Sequence, residues 1–396
     1  MRSLISRLFV ALGLGLALLG VPAQTLAQTF QTSAPYAILM DAETGTVLFE
    51  KNADELNSPA SMTKIMTAEV VFREISNGRL KLDDTFGVST NAFKSGGLAA
   101  GGSTMFANVN SQIRIEDLLR GLIVQSGNDA AIVLAEGIAG SEENFAGLMT
   151  KRARELGLTK STFKNAWGKG EPGQKVTARE LAFLANHIIK TYPEYYKYFG
   201  EKEFTWNKVR QLNRNPLLTM DIGADGLKTG NIEESGFGLV GSTVDKETGQ
   251  RLIVVVNGLR TAKDRADEAR KLLQWGARSF EAKVIFGGNE PVGEAKVFGG
   301  TRADVPLVAN GAIKLLVPRG SSERLSGKIV YQGPLIAPVE AGQVVARLRV
   351  MRGAVQALDI PLKTAESVDV GPLHRRAYDA ASEYISGLFR KYVTKK

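Results

Sequence analysis

Near residue 280 the hydrophobic pattern changes its period, and no other feature of the chain constrains its fold as much. Between residues 28 and 280 short β-like runs alternate with stretches of helical spacing. Ala34–Met40 and Gly45–Glu50, joined by Asp41-Ala42-Glu43-Thr44, predict a hairpin. Met62–Asn77, Ile115–Gly121, Asp129–Ile138, Glu142–Leu156 and Thr177–Tyr192 carry apolar residues three and four apart and predict helices. Phe237–Thr243 and Arg251–Leu259 predict paired strands around Glu247-Thr248-Gly249, and Asp264–Phe280 predicts a closing helix. Strands at both ends with helices between them imply an α+β domain over residues 28–280, an antiparallel sheet with flanking helices. From 281 to 372 the runs Glu294–Phe298, Ile313–Pro318, Lys328–Gln332 and Gln343–Met351 alternate in period two between Gly and Pro, which predicts a small β-sandwich. Over 373–396 the spacing turns helical again.

The first 27 residues stand apart from this pattern. Arg2 and Arg7 make a positive start, Leu8–Leu19 is an apolar run, and Pro22, Ala23, Thr25 and Ala27 are the small residues of a cleavage region. The segment reads as a secretory signal peptide cut after Ala27 or Ala23, too short in its apolar part for a spanning helix. Loss of Arg2 and Arg7 lowers the formal charge from +9 to +7, still suited to an anionic surface such as a membrane or cell-wall polymer. No motif points to nucleic acid, a metal or an organic cofactor.

With no cysteine in the chain, thiol nucleophiles, disulfides and thiolate zinc sites are excluded together. The two histidines, His187 in a predicted helix and His374 at the start of the last segment, read as structural or surface residues. A Gly-rich stretch from Ser95 to Ser103 lacks the lysine and the strand-to-helix setting of a phosphate loop. It reads as a mobile surface loop, with the option of a lid over a site.

Three motifs remain, and they carry chemistry only as a set. Ser61-Met62-Thr63-Lys64 opens a helix, Ser126-Gly127-Asn128 sits between two helices, and Lys228-Thr229-Gly230 begins a strand. Positions i and i+3 share a helix face, so Ser61 and Lys64 are placed to touch. Serine needs a base to become a nucleophile, and without a suitable histidine Lys64 is the candidate. A lysine serves only if burial or a second cation, here Lys228, disfavours its charged form. Ser126 is placed to relay a proton to a leaving amine, and Asn128 to orient Lys64 and a substrate amide. Lys228 and Thr229 offer a cation and a hydroxyl to a free carboxylate. Gly230 leaves room for a peptide to lie along the strand, and the N–H groups of Ser61 and Asn231 suit an oxyanion. Taken singly, Ser61 is an ordinary helix N-cap and Lys228-Thr229-Gly230 an ordinary turn. Their joint occurrence, in this order, is the signature of penicillin-binding proteins and class A β-lactamases.

Beyond the motifs, Gln125–Ala130, Arg210–Asn215, Asp225–Gly230 and Lys271–Gly276 are similar to the low-molecular-mass penicillin-binding proteins, the serine-type D-alanyl-D-alanine carboxypeptidases of peptidase family S11. The resemblance covers nearly the whole chain after the leader. It implies a transpeptidase-like domain, a small β-domain and an amphipathic membrane-associating helix at 373–396. It implies that Ser61 is the acyl-enzyme nucleophile, Lys64 the base, Ser126 the relay and Lys228 the carboxylate contact, with Arg214 and Arg265 in the same region. The implied partners are the peptidoglycan stem peptide, β-lactam antibiotics and the outer face of the inner membrane, from a periplasmic location. Asn231 stands where several relatives carry histidine. A D,D-endopeptidase would share this site. A β-lactamase would need a deacylating glutamate, and the surroundings of Glu171 do not resemble that loop. A wall-binding protein with a relic site is disfavoured by the intact motifs.

Overall fold

The computed structural model describes residues 30–320, 325–353 and 355–381. The signal-peptide segment and most of the predicted C-terminal helix lie outside the described residues. The fold sits in one compact unit that begins at Gln31.

The predicted first hairpin is present as β1 (Tyr36–Asp41) and β2 (Val47–Lys51), paired antiparallel. Helix α1 (Lys64–Ser76) follows a 3-10 turn at Ala60–Thr63, and its residues Lys64 to Phe72 are all buried. A helix with no solvent-facing stripe over its first two turns is a core helix, and α1 runs through the middle of the domain. Around it stand a two-stranded ribbon, β3 (Thr85–Gly87) with β4 (Gln112–Arg114), and helices α2 (Ile115–Ile123), α3 (Asn128–Ala139), α4 (Glu142–Glu155), α5 (Ala178–Thr191) and the short α6 (Pro193–Tyr196). Ser141 and Thr177 cap α4 and α5 by accepting the N–H of Asn144 at 3.2 Å and of Glu180 at 3.1 Å, which starts each helix where the periodicity predicted.

A second ribbon, β5 (Glu203–Trp206) with β6 (Val209–Leu212), leads to β7 (Ala224–Ile232), β8 (Gly236–Val244), β9 (Arg251–Leu259) and helix α7 (Ala262–Ser279). The central sheet runs β2-β1-β9-β8-β7 and is antiparallel throughout. Both its faces are covered. Ile38, Met40, Ile253 and Val255 join the core around α1 and α5, while Leu39 and Leu252 meet α7 at Gly276. That is why β9 reads as an unbroken apolar run, Ile253 to Val256, and not as an alternation.

The C-terminal part is sheet-rich, as its period-two texture predicted. A ribbon of β10 (Phe280–Phe286) with β13 (Ile313–Pro318) lies beside a six-stranded sheet ordered β14-β16-β17-β12-β11-β15. Its strands are β11 (Gly293–Phe298), β12 (Asp304–Val308), β14 (Leu325–Tyr331), β15 (Leu335–Ile336), β16 (Val344–Arg352) and β17 (Val355–Thr364). Ala295, Val305, Leu307, Leu315, Leu348 and Leu362 close a core separate from that of the first part. The two parts join at β2. The guanidinium of Arg352 donates to the carbonyl of Leu48 at 2.7 Å, and Lys314 pairs with Glu43 at 2.9 Å. Strand β7, which carries Lys228-Thr229-Gly230, is the opposite edge of the same sheet, four strands away, or roughly 19 Å at the usual inter-strand spacing.

Candidate active site

Ser61 lies in the 3-10 turn, not at the first residue of the α-helix as its motif predicts. The chain enters the turn through Ala60 with φ +47°, in the left-handed region that a residue with a Cβ occupies only under strain. Neighbours impose that conformation: Asn257 donates to Asn57 Oδ1 at 2.8 Å and to the Ser58 carbonyl at 3.0 Å, fixing the approach. A 3-10 turn has three residues per turn, so residues i and i+3 eclipse. Lys64 Nζ accordingly stands 3.1 Å from Ser61 Oγ.

Lys64 is fully buried, with two further oxygen partners: Asn128 Oδ1 at 2.8 Å and the carbonyl of Trp167 at 2.7 Å. Burial holds its pKa well below the ordinary lysine value; the nearby charges of Lys228 and then Arg214 push the same way, and only Asp129 opposes them.

The Ser126-Gly127-Asn128 motif forms the opposite wall. Ser126 is buried with φ +65°, a second strained non-glycine residue in the cleft. Asp129, directly after the motif, anchors it. Its fully buried carboxylate accepts from Thr104 Oγ1 at 2.6 Å, Met105 N at 2.9 Å and Ala107 N at 3.0 Å. Asn128 N donates to the Ser103 carbonyl at 2.8 Å. These bonds tie the end of the Gly-rich stretch to α3. At its start Gly96 is buried against the Asn128–Asp129 backbone, and a Cβ there would collide with it. Residues 98–102 are exposed, and at the far end of the stretch Gly101, Gly102 and Ser103 line the cleft.

The third motif lies on β7. Thr229, Gly230 and Asn231 line the cleft with Ser61, Ser126, Arg214, Phe237 and Arg265 around a volume of about 670 Å³. Lys228 is buried beneath them and donates to the Thr229 carbonyl at 3.2 Å. Burial first, then Arg214 and Arg265, brings its pKa down to about 7. Desolvation lowers both arginines too, but from so high a starting value that they stay charged. Arg214 donates to Ser103 Oγ at 2.6 Å, and the Arg265 guanidinium lies 5.7 Å from the centroid of the Phe237 ring. Gly230 has a reason the sequence did not suggest: a Cβ there would lie 2.8 Å from the Pro59 carbonyl and 3.1 Å from Ala60 Cβ. The glycine lets the 3-10 turn seat on the strand, and it also lines the cleft on β7, at the edge of the sheet.

Ser61, Lys64, Ser126, Asn128, Lys228, Thr229, Gly230, Asn231, Arg214 and Arg265 thus meet from segments spread over more than half the chain. Comparison with known proteins decides what the arrangement belongs to. Residues 23–261 match the family model described as D-alanyl-D-alanine carboxypeptidase (peptidase S11), and 280–370 match the C-terminal domain of penicillin-binding protein 5. D-alanyl-D-alanine carboxypeptidase DacC of Escherichia coli is 41% identical, over 86% of each chain. Penicillin-binding protein 5 from Haemophilus influenzae superposes with a TM-score of 0.72 at 34% identity, covering 86% of this chain and 98% of that one. Penicillin-binding protein D2 from Listeria monocytogenes, solved in an ampicillin-bound form, gives 0.54 at 29% identity over 63% of this chain and 99% of its own. The chain belongs to the D-alanyl-D-alanine carboxypeptidases of peptidase family S11.

Several residues of this carboxypeptidase's cleft carried no readable signal. Trp167 acts through its backbone carbonyl, which every residue type has. Ser103 and Phe237 are common types in unremarkable runs. Asn165 and Gln174, which shape the loop around Trp167, are far from any motif. Two other sequence candidates lie apart from the cleft. His187 Nε2 stands 3.3 Å from the buried Glu69, and His374 is exposed. Glu171 is exposed and accepts from Asn165 Nδ2 at 3.2 Å; it is not among the residues lining the cleft.

Proposed function

We propose that Ser61 is the nucleophile of this D-alanyl-D-alanine carboxypeptidase and Lys64 its base. The observation that carries the reading is the 3.1 Å contact from Lys64 Nζ to Ser61 Oγ, with the lysine buried among cations. A neutral Lys64 takes the Ser61 proton as Oγ attacks the carbonyl between the two D-alanines. The oxyanion develops at the N–H groups of Ser61 and Asn231. Collapse breaks the C–N bond, and the departing amine of D-alanine receives a proton through Ser126 from Lys64. Water then hydrolyses the acyl-Ser61 ester. The free carboxylate of the substrate meets Thr229, Lys228, Arg214 and Arg265. Its negative charge favours the protonated form of Lys228, which the surrounding arginines disfavour in the empty site.

A β-lactam enters the same first step with its ring amide as the scissile bond, and its leaving nitrogen stays tethered. The ampicillin-bound Listeria relative supports this. Mass spectrometry of a stem pentapeptide incubated with the protein is expected to show loss of one D-alanine, and fluorescent penicillin is expected to label the protein. Ser61→Ala abolishes both. Labelling that survives this change would sink the assignment.

The periplasm, on the outer face of the inner membrane, is the proposed site of action. Support comes from the signal-like segment 1–27 and from residues 373–396. Over the latter, Ala377, Ala381, Tyr384, Ile385, Leu388, Phe389, Tyr392 and Val393 recur at helical spacing with Arg375, Arg376, Arg390, Lys391, Lys395 and Lys396 around them. Residues 373–381 are helical, with Leu373 and Tyr378 exposed. Deletion of 374–396 is expected to release the protein from anionic liposomes without affecting penicillin acylation; equal sedimentation of both forms would refute the anchor.

A further inference from the structure

We propose that Asn165 is a positioning residue for catalysis, holding the Trp167 carbonyl where it aims the lone pair of Lys64 at Ser61. The proposal rests on Lys64 being the base. A neutral lysine has two N–H bonds and one lone pair, and it removes a proton only if the lone pair faces the hydroxyl. Lys64 Nζ has three partners: Ser61 Oγ, Asn128 Oδ1 and the Trp167 carbonyl. A hydroxyl can donate or accept, and a carboxamide can turn its NH2 end. The backbone carbonyl alone can only accept. It therefore captures one N–H permanently, Asn128 Oδ1 takes the other, and the remaining tetrahedral direction points to Ser61.

The carbonyl's place is set by a turn wrapped around one side chain. Buried Asn165 accepts at Oδ1 from the N–H groups of Trp167 at 3.3 Å, Gly168 at 2.8 Å and Lys169 at 3.1 Å. Its Nδ2 donates to the Lys169 carbonyl at 3.2 Å, and Gln174 ties the same loop by donating to that carbonyl at 2.8 Å and accepting from Asn165 N at 3.1 Å. The loop cannot relax toward the nucleophile turn: Gly168 has φ +94°, and a Cβ there would strike the Ala60 carbonyl. Three converging N–H groups have no other acceptor in this turn, so losing Oδ1 leaves them to find one by moving Trp167. The charged groups that face Lys64 are Lys228, Arg214 and Asp129, and from α4 the Glu142 carboxylate meets the Trp167 side chain and the Ala166 backbone of this loop.

The test is the pH dependence of penicillin acylation by the full chain, separating the acylation rate constant from the affinity of the non-covalent complex. In Asn165→Ala the plateau rate is expected to fall roughly 10- to 100-fold, the size of a small misplacement of a reacting group, with affinity within about threefold. The ascending limb moves to lower pH, because an ammonium loses more than an amine when a carbonyl acceptor leaves. A merely structural role would lower the active fraction and leave the limb in place. Asn165→Ser, whose shorter hydroxyl reaches fewer of the three N–H groups, is expected between the two. A wild-type profile without an ascending limb overturns the base assignment and this proposal with it. A wild-type limb that Asn165→Ala leaves unmoved overturns the proposal alone. Were only the serine variant to fold, wild-type rate and limb in that variant would do the same.

Discussion

In the C-terminal sheet the buried positions hold Ala295, Val305, Leu307, Leu315 and Leu348, and charged residues such as Arg347, Arg349 and Asp359 pair with one another on the outside. In the cleft the buried positions hold Lys64, Lys228, Ser126 and Asn128. Two cations share the site with Arg214 and Arg265, and Ala60 and Ser126 occupy backbone conformations that L-residues avoid. The contrast shows where each region's free energy goes. The sheet mostly follows the local rule of apolar residues inside and paired charges outside, and so stabilises the chain. The cleft breaks several such rules at once: burial and like charges disfavour the charged forms of Lys64 and Lys228, and two residues hold strained backbone conformations.

The sharpest way to break this contrast is to restore a permanent charge. Lys64→Arg keeps the cation but cannot give it up at ordinary pH, and penicillin acylation is expected to fall by about a thousandfold or more, at the upper end of what general-base catalysis contributes. An arginine variant acylating near the wild-type rate would show that the buried cation cluster is not tuning a base.

Lys228→Gln probes the second cation. It is expected to lower kcat/KM for a carboxylate-bearing peptide by roughly 10- to 100-fold, and that for an amidated analogue much less, because a desolvated charge-assisted contact is lost only in the first case. The signs in pH are opposed. Activity rises with pH as Lys64 loses its proton, and falls as Lys228 loses its own. The descending limb should therefore be present for the carboxylate substrate and absent for the amide. In kcat it should lie at higher pH than in kcat/KM, since a bound carboxylate holds the proton on Lys228. Equal loss on both substrates would reduce Lys228 to a structural part.

A cavity in the conventional region sharpens the comparison from the other side. Leu307 is fully buried in the C-terminal core. Leu307→Ala is expected to destabilise that core by about 2–5 kcal/mol, read by denaturant unfolding, while the acylation rate stays within about twofold. A parallel drop in acylation would mean that the two regions are energetically one.

The smallest expected effect has the opposite sign. Lys64→Met replaces a buried ionisable amine beside Lys228 and Arg214 at nearly constant volume, and should raise stability at pH 7 by about 1–3 kcal/mol while abolishing activity. The gain shrinks as pH rises. Below its ordinary value of 10.5 the unfolded chain protonates Lys64 more than the folded chain does, so wild-type stability climbs between the lowered folded pKa and 10.5. A methionine variant less stable than wild type at neutral pH would show that the cleft is not strained by its charges.

Much of the architecture was legible because it rests on local periodicity. The hairpin β1–β2, the helices α2 to α5, the pair β8–β9 and the period-two C-terminal strands follow from apolar spacing and from caps such as Ser141 and Thr177. The helix opened by Ser61 is present, but its first turn is 3-10, and the approach to that turn is held by Asn257, some two hundred residues away, which no local pattern could show. The close approach of the Pro59 carbonyl to Gly230 could not be read from the sequence, because it comes from a segment some one hundred and seventy residues away.

By itself the sequence determined which chemical groups the protein owns and how near neighbours sit: a serine three residues before a lysine, a serine two before an asparagine, no thiol and no usable histidine. Those are properties of residue type and of the few dihedrals between adjacent positions. Only the tertiary structure decided that three motifs share one cleft, that Lys64 loses its water among other cations, and that a backbone carbonyl from Trp167 faces it. The physical reason is that desolvation, like-charge repulsion and main-chain hydrogen bonds depend on what lies within a few ångströms in space, whatever its distance along the chain. A carbonyl has no side-chain identity by which a sequence could announce it.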